Sequence, residues 1–249
     1  MKVSQVKTTA IIQARTGSTR LPGKVLKKLY GKTILQHVIE RVQQAKSIDS
    51  IVIATTRLSR DDAIVDEAVR CGVQYFRGSE DDVLARYYLA AQESNSDTVV
   101  RITSDCPLID PLVTDEIIKF FQEKKRYDIV TNAGNDINNR TYPRGLDIEV
   151  FSFFALEQAY RQACKPYQRE HVTPYIYENS AKIYFYKNST DYSRYRWTLD
   201  TGEDFILIKE IYRHLYKGKH DFYLADILRL FEQYPELIKI NAHVEQKKL

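Results

Sequence analysis

The chain has 249 residues, 43% of them hydrophobic, enough to bury a sizeable core in one large α/β domain or two small ones. Its formal net charge is only +4, yet no Asp or Glu precedes Glu40, so residues 1–39 carry +8 and the remainder −4. No apolar run approaches the ~20 residues of a spanning helix, no secretory leader is readable, and Cys71, Cys106 and Cys164 form neither a disulfide framework nor a CxxC pair; a cytoplasmic globular protein is expected, without membrane partners.

Thr8 to Ala14 (TTAIIQA) is a β-branched apolar run that stops at a turn-rich segment and reads as a buried strand. Ile34, Leu35, Val38, Ile39 and Val42 recur at helical spacing, so Thr33 to Ala45 is a helix with Thr33 as its N-cap. Ile51 to Thr55 is a second strand; a helix capped by Ser59 runs through Cys71, and Gly72 ends it. Val73 to Phe76 (strand), Asp81 to Glu93 (helix), Thr98 to Thr103 (strand), Leu112 to Gln122 (helix) and Tyr127 to Thr131 (strand) follow. This βαβα alternation predicts a mostly parallel, Rossmann-like sheet with helices on both faces. Ligands of such sheets sit at the carboxyl ends of the strands, which directs attention to the loops after Ala14, Phe76 and Thr103.

The alternation stops after residue 131. Asn132 to Arg144, with Asn135, Asn138 and Asn139, reads as a polar loop. The next expected elements are a strand at Asp147 to Phe151, helices at Phe153 to Cys164 and Glu170 to Glu178, and a strand at Ala181 to Lys187. A short strand at Tyr195 to Leu199 and helices at Glu203 to Tyr216 and Leu224 to Gln233 close the chain. Without a repeat or a Pro/Gly linker, one domain over 1–249 is expected, with an inserted subregion at about 132–190.

The strongest chemical signal is Gln13 to Lys24, QARTGSTRLPGK, which leaves the first strand at its carboxyl end. Gly17 and Gly23 let backbone amides approach a phosphate; Arg15 and Arg20 offer forked hydrogen bonds and Lys24 a compact charge, with Ser18 as a hydroxyl donor. It is neither a Walker loop, because Val25 follows Lys24 and the glycines are six apart, nor GxGxxG. A solvated basic loop is the bland alternative. Asp105 follows the TVVRIT strand, where a carboxylate is suited to Mg²⁺, and Asp200 precedes a helix that either it or Thr201 caps. Cys106 has no neighbouring His in sequence and reads as a small buried residue. The cations lie in a glycine turn without interleaved aromatics, which argues against nucleic acid. From the residues alone the reading stops at a phosphate-binding α/β protein.

QARTGSTRLPGK resembles the N-terminal signature of cytidylyltransferases that activate acidic sugars as CMP conjugates, such as the Kdo cytidylyltransferases and CMP-sialate synthetases. The chain is more similar still to the branch typified by the spore coat polysaccharide biosynthesis protein SpsF. That resemblance rests on RITSDCPLIDP (Arg101 to Pro111), YPRGLDIEVF (Tyr142 to Phe151), REHVTPYIY (Arg169 to Tyr177) and RWTLDTGEDF (Arg196 to Phe205), in order, over residues 8 to 235. It implies CTP as donor, a sugar or sugar-like, acidic acceptor, pyrophosphate release and a homodimer. It implies triphosphate contacts at Arg15, Ser18, Arg20 and Lys24, and base or ribose contacts from the backbone of Gln13, Ala14 and Gly17 and from Gly78, Asp82 and Arg86. It also implies Mg²⁺ on Asp105 and Asp200, and leaves Arg140, Arg144, Arg169 and His171 as candidates to meet the acceptor. The alternatives are a sugar-1-phosphate nucleotidyltransferase using another NTP, whose GxGTRLxP opening is absent here because Gln13 and Ala14 stand in those places, and a nucleotide-binding subunit without turnover.

Overall fold

The computed structural model describes residues 6–133 and 139–245. The first strand, β1 (Thr8–Gln13), is followed by a two-residue hairpin, β2 (Lys28–Leu29) and β3 (Lys32–Thr33), and by helix α1 (Ile34–Val42). Strand β4 (Ser50–Thr56), helix α2 (Asp62–Arg70), strand β5 (Gln74–Gly78), helix α3 (Val83–Glu93), strand β6 (Thr98–Thr103) and helix α4 (Pro111–Lys124) continue the alternation. Then come β7 (Ile129–Thr131), β8 (Glu149–Ser152), α5 (Phe153–Gln162), α6 (Pro166–His171), α7 (Pro174–Asn179), β9 (Ile183–Phe185), α8 (Gly202–Leu215) and α9 (Leu224–Gln233).

The large sheet has the order β5-β4-β1-β6-β8-β7-β9. β1 pairs parallel with β4 and β6, and β4 with β5, while β8 runs antiparallel to both β6 and β7. Alternate residues of β1 feed opposite cores, as a strand buried on both faces requires: Ala10 and Ile12 pack with α1 and α4, and Ile11 packs with α3. A third core gathers around Trp197 under α8 and α9. The carboxyl ends of β1, β4 and β6 open on one edge, and the basic loop starts there.

Local chemistry explains where the elements differ from expectation. Thr33 caps α1, accepting from the Gln36 amide at 3.0 Å. The Ser59 segment is instead a 3-10 turn (Ser59–Asp61), and the α-helical part begins at Asp62. The helix expected from Glu170 to Glu178 is two short helices, because Pro174 has no N–H to continue the ladder and its ring crowds the preceding turn. Tyr195 to Leu199 is not a strand: it makes one parallel bridge, Arg144 to Arg196. Gly145 approaches it so closely that a Cβ there would lie 2.5 Å from the Trp197 carbonyl carbon. Of the polar loop, Asn135 and Asn138 lie outside the described residues; Asn132 is buried, its amide donating to the Leu146 carbonyl at 2.7 Å.

Candidate active site

The basic loop is held from beneath by a carboxylate. Buried Asp61, just after β4, accepts from the Thr16 amide at 2.8 Å and hydroxyl at 2.6 Å, and from the Thr56 hydroxyl. Burial pushes the Asp61 carboxyl up, but the Thr16 and Thr56 hydrogen bonds outweigh it and hold it below the usual carboxylate range. The Thr16 carbonyl in turn accepts from the Ser18 and Gly23 amides at 2.8 and 3.1 Å, which closes the loop on itself. Gly23, at φ 63°, makes the final turn that a side chain would resist and delivers Lys24 inward.

Lys24 is the centre of the site. Its ammonium donates to Asp105 Oδ2 at 2.6 Å, to Asp200 Oδ1 at 2.8 Å and to the Leu199 carbonyl at 2.8 Å. Burial pulls this ammonium down, but the two carboxylates outweigh it and raise its pKa. Asp200 also meets Arg20 at 3.0 Å and Arg196 at 2.8 Å; burial raises its carboxyl, and Lys24, Arg20 and Arg196 more than reverse that. Asp105 accepts from the Thr103 hydroxyl at 2.6 Å, so the last residue of β6 orients the carboxylate two positions on. The N-cap question at Asp200 resolves cleanly: Thr201 caps α8, accepting from the Asp204 amide, while Asp204 accepts from the amides of Asp200 and Thr201 and pairs with Arg196. Asp200 is left to face the loop.

These groups line one cleft of about 350 Å³. Gln13, Ala14, Arg15, Gly17, Ser18 and Arg20 form one wall; Lys24, Asp105 and Asp200 lie deep in it, and Arg86 enters from α3. Arg86 is nearly fully buried and forms no ion pair among the described residues; burial, aided by nearby Arg15, lowers its pKa. Gly78 and Asp82 do not line the cleft. A Cβ on Gly78 would lie 2.6 Å from Arg86 Cγ, so this glycine makes room for the arginine. Asp82 caps α3 and pairs with Arg169 at 2.5 Å.

Arg169 also donates to the Tyr160 carbonyl at 2.7 Å, and Arg140 pairs with Asp147. Glu170 and His171 reach the cleft wall from α6. Cys106 is buried, and that burial, with Asp105 beside it, raises its thiol well above the ordinary value; it is not poised as a nucleophile. Among the described residues no group of three or more His, Cys, Asp or Glu side chains is arranged to hold a metal. Sequence reasoning passed over Asp61 and Thr103. The Thr-x-Asp spacing at the end of β6 was a readable signal for Thr103. Nothing local linked Asp61 to a loop 45 residues earlier.

The profile of the cytidylyltransferase family matches residues 9–249. The chain is 33% identical over 235 residues to the spore coat polysaccharide biosynthesis protein SpsF of Bacillus subtilis, covering 91% of this chain and 94% of that protein. It is 40% identical over 246 residues to an uncharacterised protein of Methanocaldococcus jannaschii, covering 97% of each. Its fold superposes on the structure of a cytidylyltransferase from Leptospira borgpetersenii with a TM-score of 0.87 at 37% identity, covering 94% of this chain and 97% of the other.

Proposed function

The chain belongs to the cytidylyltransferase family, and on that premise we propose that it transfers CMP from CTP to a sugar or sugar-like hydroxyl, releasing pyrophosphate. The observation that carries the reading is the Lys24 ammonium drawn between Asp105 and Asp200 at the mouth of a glycine-containing basic loop. A triphosphate lying along the loop meets Arg15, Ser18, Arg20 and Lys24, and the guanidinium and ammonium groups stabilise the pyrophosphate as it leaves. The loop is fixed by Asp61 before substrate arrives, so little reorganisation accompanies the reaction.

Asp105 and Asp200 suit Mg²⁺ in their donor chemistry: two hard carboxylates from separate elements converge on one cationic point. Mg²⁺ takes one or two such ligands and fills the rest with water and phosphate oxygens. When bound it supplies Lewis-acid stabilisation of phosphate charge.

An acidic acceptor rests on the family resemblance; its candidate partner Arg144 lines a separate pocket with Arg194, Tyr195 and Trp197 rather than the cleft. The half-buried Arg144 guanidinium makes no hydrogen bond or ion pair among the described residues, and burial, with Arg140 and Arg196 nearby, lowers its pKa. Arg140 and Arg169, by contrast, already hold carboxylate partners. The reading includes a homodimer, a cytoplasmic location and supply of an activated sugar for surface or spore-coat polysaccharide; these rest on the family resemblance and on the name of the Bacillus subtilis relative. No helix among the described residues is long and apolar enough to cross a membrane.

The test is pyrophosphate release from each NTP with Mg²⁺ and a panel of acidic sugars, 3-deoxy-manno-octulosonate among them, and sugar phosphates. Release with CTP and an acidic sugar is expected. Release only with UTP or dTTP overturns the choice of base, and tight CTP binding with no acceptor turned over favours a subunit without turnover.

A further inference from the structure

Val172 is β-branched and fully buried, yet its φ is 73° and its ψ −57°, a region such side chains rarely enter. The Thr173 amide closes onto the His171 carbonyl at 2.9 Å, which makes this a three-residue γ-turn of the strained, positive-φ hand. Strain of this kind persists where the surroundings over-determine it, and it gathers at functional sites. Both flanks are pinned here. Before the turn, Arg169 ties α6 to Asp82 and to the Tyr160 carbonyl. After it, the Thr173 and Tyr177 hydroxyls donate to Glu149 at 2.9 and 2.6 Å, and Glu149 is itself held by Arg101 at 2.5 Å. Val172 is clamped between α3 and α5 in the core.

What this turn carries to the cleft is Glu170 and His171, on the same wall as Lys24, Asp105 and Asp200. An attacking hydroxyl must lose its proton. The two deep carboxylates are poor bases, because each is already bound by the Lys24 ammonium and Asp200 by two arginines as well. An imidazole has the right basicity near neutral pH, and His171 is the imidazole on the cleft wall among the described residues. His37, on α1, and His220 are buried against each other at 2.8 Å and do not line the cleft.

We propose, on the premise that the cleft performs nucleotidyl transfer, that His171 accepts the proton of the attacking acceptor hydroxyl and that Val172 is the positioning residue that holds it there. The acceptor oxygen forms the new bond to the α-phosphorus as its proton passes to the imidazole. The bridging P–O bond breaks, and its electron pair leaves with pyrophosphate. The charged groups around His171 are Arg169 and Glu170 on its own helix, Asp82 and Arg86 on α3, Arg15, Arg20 and Lys24 on the loop, and Asp105 and Asp200.

The experiment measures pyrophosphate release with CTP and 3-deoxy-manno-octulosonate, or the panel acceptor turned over fastest, across the pH range of imidazole titration. His171→Asn and His171→Gln lower kcat roughly 100-fold with the CTP KM within about threefold. Both also remove the limb of the wild-type profile that falls toward acid. Val172→Gly melts above Val172→Ala, the reverse of the usual order, because glycine accepts the positive φ, and both lower kcat more than they raise the CTP KM. A His171→Asn enzyme within about threefold of wild-type kcat, or one that keeps the acid limb, overturns the proton-accepting role. Val172→Ala melting above Val172→Gly overturns the positioning role. Wild-type protein that releases no pyrophosphate with any acceptor overturns the transfer reading and this proposal with it, whereas wild-type turnover beside an indifferent His171→Asn overturns this proposal alone.

Discussion

Lys24→Met separates the two duties of the central ammonium while keeping most of the side chain's volume. In the folded chain Lys24 sits within 2.8 Å of Asp105, Asp200 and the Leu199 carbonyl, so the variant leaves two carboxylates facing one another. Removing one partner of a fully buried pair costs about 3–5 kcal/mol. The cost is smaller here, because the Asp105 side chain is 23% exposed and Asp200 retains Arg20 and Arg196. About 2 kcal/mol is expected, which for a chain of this size lowers Tm by about 4–8 °C. Asp200 is held below its ordinary carboxyl value, so its contribution is present above the unfolded pKa and lost as pH falls through the folded one. Lys24 is raised, so its contribution is present below the ordinary lysine value and lost as pH rises through the folded one. The gap between wild type and variant is therefore widest between those two limits and closes on acidification. Pyrophosphate release from CTP should fall by roughly 100- to 1,000-fold, the usual loss of one preorganised donor at developing negative charge. Adding Asp200→Asn restores part of the melting temperature and none of the activity. A Lys24→Met protein that melts within about 1 °C of wild type across the neutral range refutes the reasoning about the ion network. One that keeps wild-type turnover refutes the role assigned to the ammonium.

Asp61→Ala removes the carboxylate that fixes Thr16 and should raise the CTP KM several-fold; Thr16→Val should raise it less, because the Thr16 amide still reaches Asp61, and the two should be non-additive in a double-mutant cycle because both remove the hydroxyl–carboxylate contact. Gly145→Ala forces a Cβ to 2.5 Å from the Trp197 carbonyl carbon at φ 99°, so it should destabilise by about 3 kcal/mol or more, read as a large fall in Tm. Burial holds His37 down to about 4 and His220 to about 3. The unfolded chain therefore takes up protons first, and stability should drop as pH falls from the ordinary histidine value toward those two. NMR of the imidazoles should show both silent down to about pH 5, and titration of either near the ordinary value would contradict this.

The strands and most helices were legible because a sheet buried on both faces writes continuous β-branched runs, and helices beside it write a period near four. Ala10, Ile11 and Ile12 are all fully buried, which alternation alone would not show. The break between α6 and α7 was also written, in Pro174, but apolar spacing across Val172 and Ile176 obscured it. The cleft was only partly legible. Gln13 to Lys24 is contiguous, and its position after a strand marks it. Asp105 and Asp200 are 95 positions apart, and what joins them is a lysine from a third segment that bonds to both. No local pattern encodes that meeting; resemblance to known sequences supplied it. Gly78 and Asp82 show the converse. The family resemblance implies nucleotide contacts for both, yet one clears space for Arg86 and the other caps a helix and binds Arg169.

The surplus of positive charge in the first 39 residues gains a narrower meaning from this geometry. Lys2 lies outside the described residues; Lys7, Lys27, Lys28 and Lys32 do not line the cleft, and Lys7 and Lys32 have their own partners at Ser94 and Glu40. Arg15, Arg20 and Lys24 converge, and Lys24 is already spent on two carboxylates. An ammonium so engaged cannot turn toward a phosphate without stripping Asp105 and Asp200 of a shared counter-charge. Two carboxylates left side by side in a partly buried cleft repel strongly, since burial weakens solvent screening. Phosphate binding by Lys24 and the proposed cation binding by the two aspartates are therefore linked: a cation that takes the place that Lys24 gives up favours the first, although Asp200 retains Arg20 and Arg196. Asp105→Asn should then weaken the CTP dependence on Mg²⁺ and, by relieving the repulsion, leave metal-free CTP binding equal to or tighter than wild type. Metal-free binding that collapses in this variant would show that Asp105 serves the nucleotide by some route other than charge.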